Sequence, residues 1–183
     1  MIGNVMNIAK TSIALLLATI CAALCQTPLP TLPPDGFVTL EQIVNDFANS
    51  PDTAFQKYNG MRVCVYGRVG KVTQSDDTEG DPLTVYMQLP NRPTPDVKAY
   101  FDSDDIPSAT VGVSSDDSRA TLYHRDWSGN ILRTSSLVVT GENTAIRGTF
   151  DNFVAGDIIL KNSFKLDPAA LQKKLTEHGI ATE

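Results

Sequence analysis

The chain has 183 residues, 42% of them hydrophobic and 20% charged, which fits one globular domain with short appendages and excludes wholesale disorder. Its formal charge of −6 repels phosphate backbones, so nucleic acid is disfavoured as a default partner.

Thr11–Leu24 is an uncharged, mostly apolar stretch preceded by a single cation, Lys10. At roughly 14 residues it has the length of a signal-peptide core and is short for a membrane span, and small residues at Ala23 and Cys25 fit the cleavage rule. Residues 1–25 are therefore expected to be a signal peptide, with a mature chain near Gln26 that is periplasmic or secreted and has no stable membrane span. Ile20 and Leu24 stand where a lipobox before Cys21 or Cys25 needs a small residue, so lipidation is disfavoured. Removing residues 1–25 takes the charge to −7 and leaves Cys64 as the one cysteine, so the fold must hold without an internal disulfide.

Residues 26–36, with four prolines, read as an extended linker before a domain over 37–183. Thr39 and Gln42 match a capping box, and Leu40, Ile43, Val44 and Phe47 recur at helical spacing. Ser50-Pro51 opens a second short helix with Ala54, Phe55 and Tyr58 as its apolar stripe, ended by Asn59-Gly60.

Strands follow. Over 61–72, Met61, Val63, Val65 and Val69 share one parity, and Arg62, Cys64, Tyr66 and Arg68 the other. Gly67 and Gly70 mark a bulge or a close backbone approach. Leu83–Leu89 and Val97–Phe101 alternate as second and third strands, separated by a turn at Asn91–Pro95. Residues 102–118 are polar and loop-like, and 120–136 reads as a hairpin with its tip at Ser128-Gly129-Asn130. Ala145–Phe150 and Ile158–Leu166 complete five core strands. Asp167-Pro168 then opens a last helix with Leu171 and Leu175 on one face and Gly179 as its stop.

Phe47-Ala48-Asn49, Lys57-Tyr58-x-Gly60 and Val63-x-Val65-x-Gly67-x-Val69 resemble the entry of the exported bacterial OB-fold proteins called tRNA-anticodon-binding-like. Gly141-Glu142, Ile146-Arg147-Gly148 and Ile158-x-Leu160-x-Asn162 are similar to that family's closing strands. The match covers about Thr39 to Leu166. It implies a mainly β fold, a five-stranded OB barrel with N-terminal helices and a C-terminal helix, and it implies no tRNA role. The chain departs from the family pattern over an insertion at about 102–136.

OB barrels bind on the face around their second and third strands. Parity puts Tyr66, Tyr86 and Tyr100 opposite the core residues, with Arg68 and Lys98 on the same side, a set suited to stacking on sugars, bases or partner side chains. Half-exposed strand positions favour tyrosine in any case. Trp127, the sole tryptophan, stands at the hairpin tip, either as an interface anchor or folded back as a plug over the barrel mouth. Asp76–Asp81, Asp102–Asp105 and Asp116-Asp117 lack a calcium-loop pattern and read as solvated charge.

Catalytic motifs are absent from the sequence, and Cys64 reads as an inert strand thiol, so no enzyme and no cofactor are expected. The expected function is recognition of an envelope protein or an oligosaccharide through the strand 1–2–3 face. The alternative is an interaction or inhibitor protein docking through the insertion and Trp127, and single-stranded nucleic acid binding is the weaker option.

Overall fold

The computed structural model describes residues 31–74, 83–90, 97–101 and 110–181. The expected signal peptide and the start of the linker lie outside the described residues. So do the acidic stretches Asp76–Asp81 and Asp102–Asp105 and the turn at Asn91–Pro95.

The elements, in chain order, are β1 (Phe37–Thr39), α1 (Leu40–Asn49), α2 (Pro51–Tyr58), β2 (Arg62–Gln74), β3 (Leu83–Met87), β4 (Val97–Phe101), β5 (Val111–Val113), β6 (Arg119–Arg125), β7 (Ile131–Val139), β8 (Asn143–Val154), β9 (Asp157–Lys165) and α3 (Pro168–Glu177). Strands β2-β3-β4-β9-β8 pair in that order, and β8 returns to β2, closing a five-stranded barrel. All neighbours are antiparallel except β4 and β9. This is an OB-fold barrel, and Val63, Val65, Val85, Ile146 and Leu160 all point into its sealed core, as the alternation predicts.

Both glycines of β2 act as expected. A Cβ on Gly67 would come within 2.5 Å of the Leu40 Cβ, so the start of α1 can rest there only on a glycine. At Gly70 the register with β3 slips by one residue, between Val69 and Lys71. That bulge reverses the alternation, so Val72 is buried and Lys71 is exposed.

The N-terminal helices close over the core through the predicted stripe Leu40, Ile43, Val44 and Phe47. The Thr39 hydroxyl accepts from the Gln42 N–H at 3.1 Å, the expected cap. Ser50 makes no such bond and donates instead to the Thr53 hydroxyl at 2.8 Å. Tyr58, fully buried, donates to Asp46 at 2.6 Å and Lys57 pairs with the same carboxylate at 2.8 Å, which ties α2 to α1. Burial, and then the bond to Asp46, pushes the Tyr58 phenol well above its ordinary pKa.

Two parts of the chain depart from the sequence reading. The expected linker ends inside the folded unit, which starts at Leu32, and Phe37–Thr39 is a strand running parallel to Cys64–Tyr66. Asp35 then clamps α3, accepting from Lys174 at 2.5 Å and meeting His178 at 2.9 Å, while the His178 ring stacks on Phe37. The insertion is also more than a hairpin. Val111–Val113 adds a third strand, so β5-β6-β7 form a separate sheet. Val111, Ala120 and Val138 at its base are buried in the main core.

Candidate functional site

The structure divides the six nominated residues into three places. Tyr86 on β3 and Lys98 on β4 are direct register partners, and Tyr100 faces Thr84 one step along the same pair of strands. The Lys98 ammonium lies 5.4 Å from the Tyr86 ring centroid, and Lys71, paired with Tyr86 from the other side, lies at 6.0 Å. A half-buried aromatic ring thus sits between two cations on neighbouring strands, a contact type worth about 0.5–1 kcal/mol each when exposed. Lys98 also bonds Asp157, at the start of β9, at 2.5 Å. That hydrogen bond raises its pKa against the opposing effect of burial, and the Asp157 charge and the Tyr86 and Tyr100 phenols act in the same direction. Lys71 was missed in the sequence reading because strict alternation turned it inward. The signal was Gly70 beside it.

Tyr66 and Arg68 stand elsewhere, because β1 pairs beside Cys64–Tyr66 and β3 pairs only from Val69 onward. Between those two partners lies a groove of about 390 Å³, lined by Thr39, Tyr66, Arg68, Gln88, Pro90 and Asn143 among others. Tyr66 packs against a second apolar cluster of Phe37, Cys64, Ala145, Leu166 and Leu175 beneath α3, its ring stacked near-parallel to that of Phe37 at 6.3 Å. Its ring is therefore partly occupied by the fold. Arg68 is exposed and forms no salt bridge among the described residues, and Gly141 runs beside its guanidinium.

Trp127 is 97% exposed at the β6–β7 turn, which rules out the plug over the barrel mouth. Ile131 and Leu132 beside it are also exposed, at 51% and 72%. Asp126 holds this turn, accepting from the Ser128 and Asn130 N–H groups at 2.8 Å each.

Other chemistry finds little support. Cys64 is buried, and that burial pushes its thiol pKa up. His124 Nε2 and Ser135 Oγ are 2.9 Å apart on the inserted sheet, but Arg133 stands at 3.5 Å from the same nitrogen and no carboxylate among the described residues orients the ring. That pair is a cross-strand contact. No group of three or more potential metal ligands occurs among the described residues.

No protein-family model matches the chain, and no curated protein matches it. A solved structure that it resembles is that of a "putative nucleic acid-binding lipoprotein" from Klebsiella pneumoniae subsp. pneumoniae MGH 78578, at 16% identity, over 72% of this chain and 91% of that one, with a TM-score of 0.48. A likeness at that level says nothing of what this chain binds. No helix among the described residues is long and apolar enough to cross a membrane.

Proposed function

We propose that this is a non-enzymatic binding protein, exported by a cleavable signal peptide ending near Cys25, whose barrel recognises an extended polymer or a protein segment of the envelope. The observation that carries this reading is Tyr86 held between Lys71 and Lys98 on the outer side of β2, β3 and β4. OB barrels use this face for oligosaccharides and oligonucleotides. The ring supplies a stacking platform and the lysines supply donors to a sugar, carboxylate or backbone carbonyl. Tyr100 lengthens the platform along the strand, and Arg68, in its groove on β2, gives an exposed cation that forms no salt bridge among the described residues.

Equilibrium binding to soluble cell-wall oligosaccharides, to envelope extract and to oligo-dT tests the reading. The expected result is retention of an oligosaccharide or envelope protein that Tyr86→Ala removes. Binding confined to oligo-dT, with a steep salt dependence, would replace this ligand class by single-stranded nucleic acid. The exposure of Trp127, Ile131 and Leu132 favours a second reading alongside the first, in which the inserted sheet is a separate contact surface of the same protein.

A further inference from the structure

The β6–β7 hairpin combines four properties. Its apolar side chains Trp127, Ile131 and Leu132 are exposed at the tip, and Ile131–Thr134 are exposed on both faces of β7, so this end of the hairpin packs on no other element among the described residues. Arg125 and Arg133, both exposed, stand just behind them. Arg125–Arg133, the tip of the hairpin, carries two arginines against one aspartate, within a chain whose formal charge is −6. The turn also bonds most of its own backbone N–H groups. Besides the two N–H groups held by Asp126, the Asp126 N–H bonds the Asn130 carbonyl at 2.9 Å and the Gly129 N–H bonds the Asp126 carbonyl at 3.0 Å. The Gly129 carbonyl accepts from Arg125 at 2.8 Å.

We infer that this hairpin is a membrane-interface anchor that inserts its tip into an anionic phospholipid surface. The inference rests on the reading of the inserted sheet as a contact surface and is independent of the barrel face. Indole and guanidinium groups settle at headgroup level, while aliphatic side chains reach deeper. A turn most of whose N–H groups are already bonded leaves bulk water at a lower cost than an open one. The charge pattern sets the orientation. An anionic surface attracts the basic hairpin and repels the acidic remainder, so the protein approaches tip first.

Because Trp127 is the sole tryptophan, its fluorescence reports the tip directly in the full chain. Titration with vesicles of phosphatidylglycerol and phosphatidylcholine at low salt is expected to move its emission to shorter wavelength and to make it accessible to a quencher placed in the acyl chains. Phosphatidylcholine alone should give no response. Arg125→Gln and Arg133→Gln should each weaken partitioning about fivefold. Leu132→Ser, at an exposed site and with a melt unchanged from wild type, should abolish quenching. Absence of any shift with the anionic vesicles overturns the inference, as does a shift that survives Leu132→Ser. A shift that grows with protein concentration without lipid assigns the tip to a second copy and also overturns it. If capture from envelope extract depends on Trp127 while vesicles give no response, the hairpin remains a contact surface for a protein and the lipid assignment falls.

Discussion

Lys98 on β4 is bound at once to the ring of Tyr86, 5.4 Å away on β3, and to the carboxylate of Asp157 at 2.5 Å. The second contact fixes a long, rotatable side chain in place before any ligand arrives, and so reduces the entropy that a ligand contact would otherwise cost. It also places the start of β9, where Asp157 stands, at the edge of the same face. On the opposite side Lys71 reaches both Tyr86 and Asp117 of the inserted sheet, the latter at 3.1 Å. Tyr86 is therefore flanked by two cations that different parts of the fold hold.

The Asp35 clamp on α3 gives the fold an acid-sensitive joint. Burial of Asp35 works against its charge, but hydrogen bonds from Lys174, His178 and the Phe37 N–H outweigh it and hold the carboxyl well below its usual range. A carboxyl depressed in the folded state stabilises fully above its unfolded pKa of about 4 and loses that contribution as pH falls below it. Melting temperature should therefore drop between about pH 4 and pH 2 in the wild type. Asp35→Asn should start lower at neutral pH and show a shallower drop.

Thr144 carries the one buried side-chain oxygen without a hydrogen-bond partner among the described residues. Its desolvation is uncompensated, so the isosteric change Thr144→Val should be neutral or stabilising, by up to about 1 kcal/mol. Chemical denaturation reads the midpoint. A marked loss of stability would mean that the hydroxyl has a partner.

Val65, on β2, has no exposure at all. Val65→Asp would place an unpaired charge in a dry core and should cost several kcal/mol, enough to unfold a domain of ordinary stability. Circular dichroism on heating should show no cooperative transition for this variant.

The barrel was legible because its inner residues alternate cleanly, from Val63 and Val65 to Leu160, and because Gly67 and Gly70 flagged the two places where β2 departs from a regular strand. The helix ends were legible for a similar local reason: Asp167 accepts from the Ala169 N–H at 2.8 Å and Gly179 turns with a positive φ of 64°. Strands β1 and β5 escaped notice because each is three residues long and exists only by pairing with a distant partner. The site was legible in its pieces and not in its grouping. Parity shows which side of a strand Tyr66 occupies, but not that β1 and α3 pack around it. It also loses Lys71, because one bulge exchanges inside for outside.

The central claim, that the barrel face is where this protein binds, is tested most directly by one comparison. Binding of the ligand recovered from envelope extract is measured for wild type, Tyr86→Ala, Tyr100→Ala and Trp127→Ala, with melting temperatures in parallel. The face reading predicts that Tyr86→Ala and Tyr100→Ala each weaken binding by roughly 1–3 kcal/mol, as for lost aromatic stacking, at nearly unchanged melting temperature, with Trp127→Ala the smaller loss. Unchanged binding in both tyrosine variants, with the largest loss at Trp127, would contradict it.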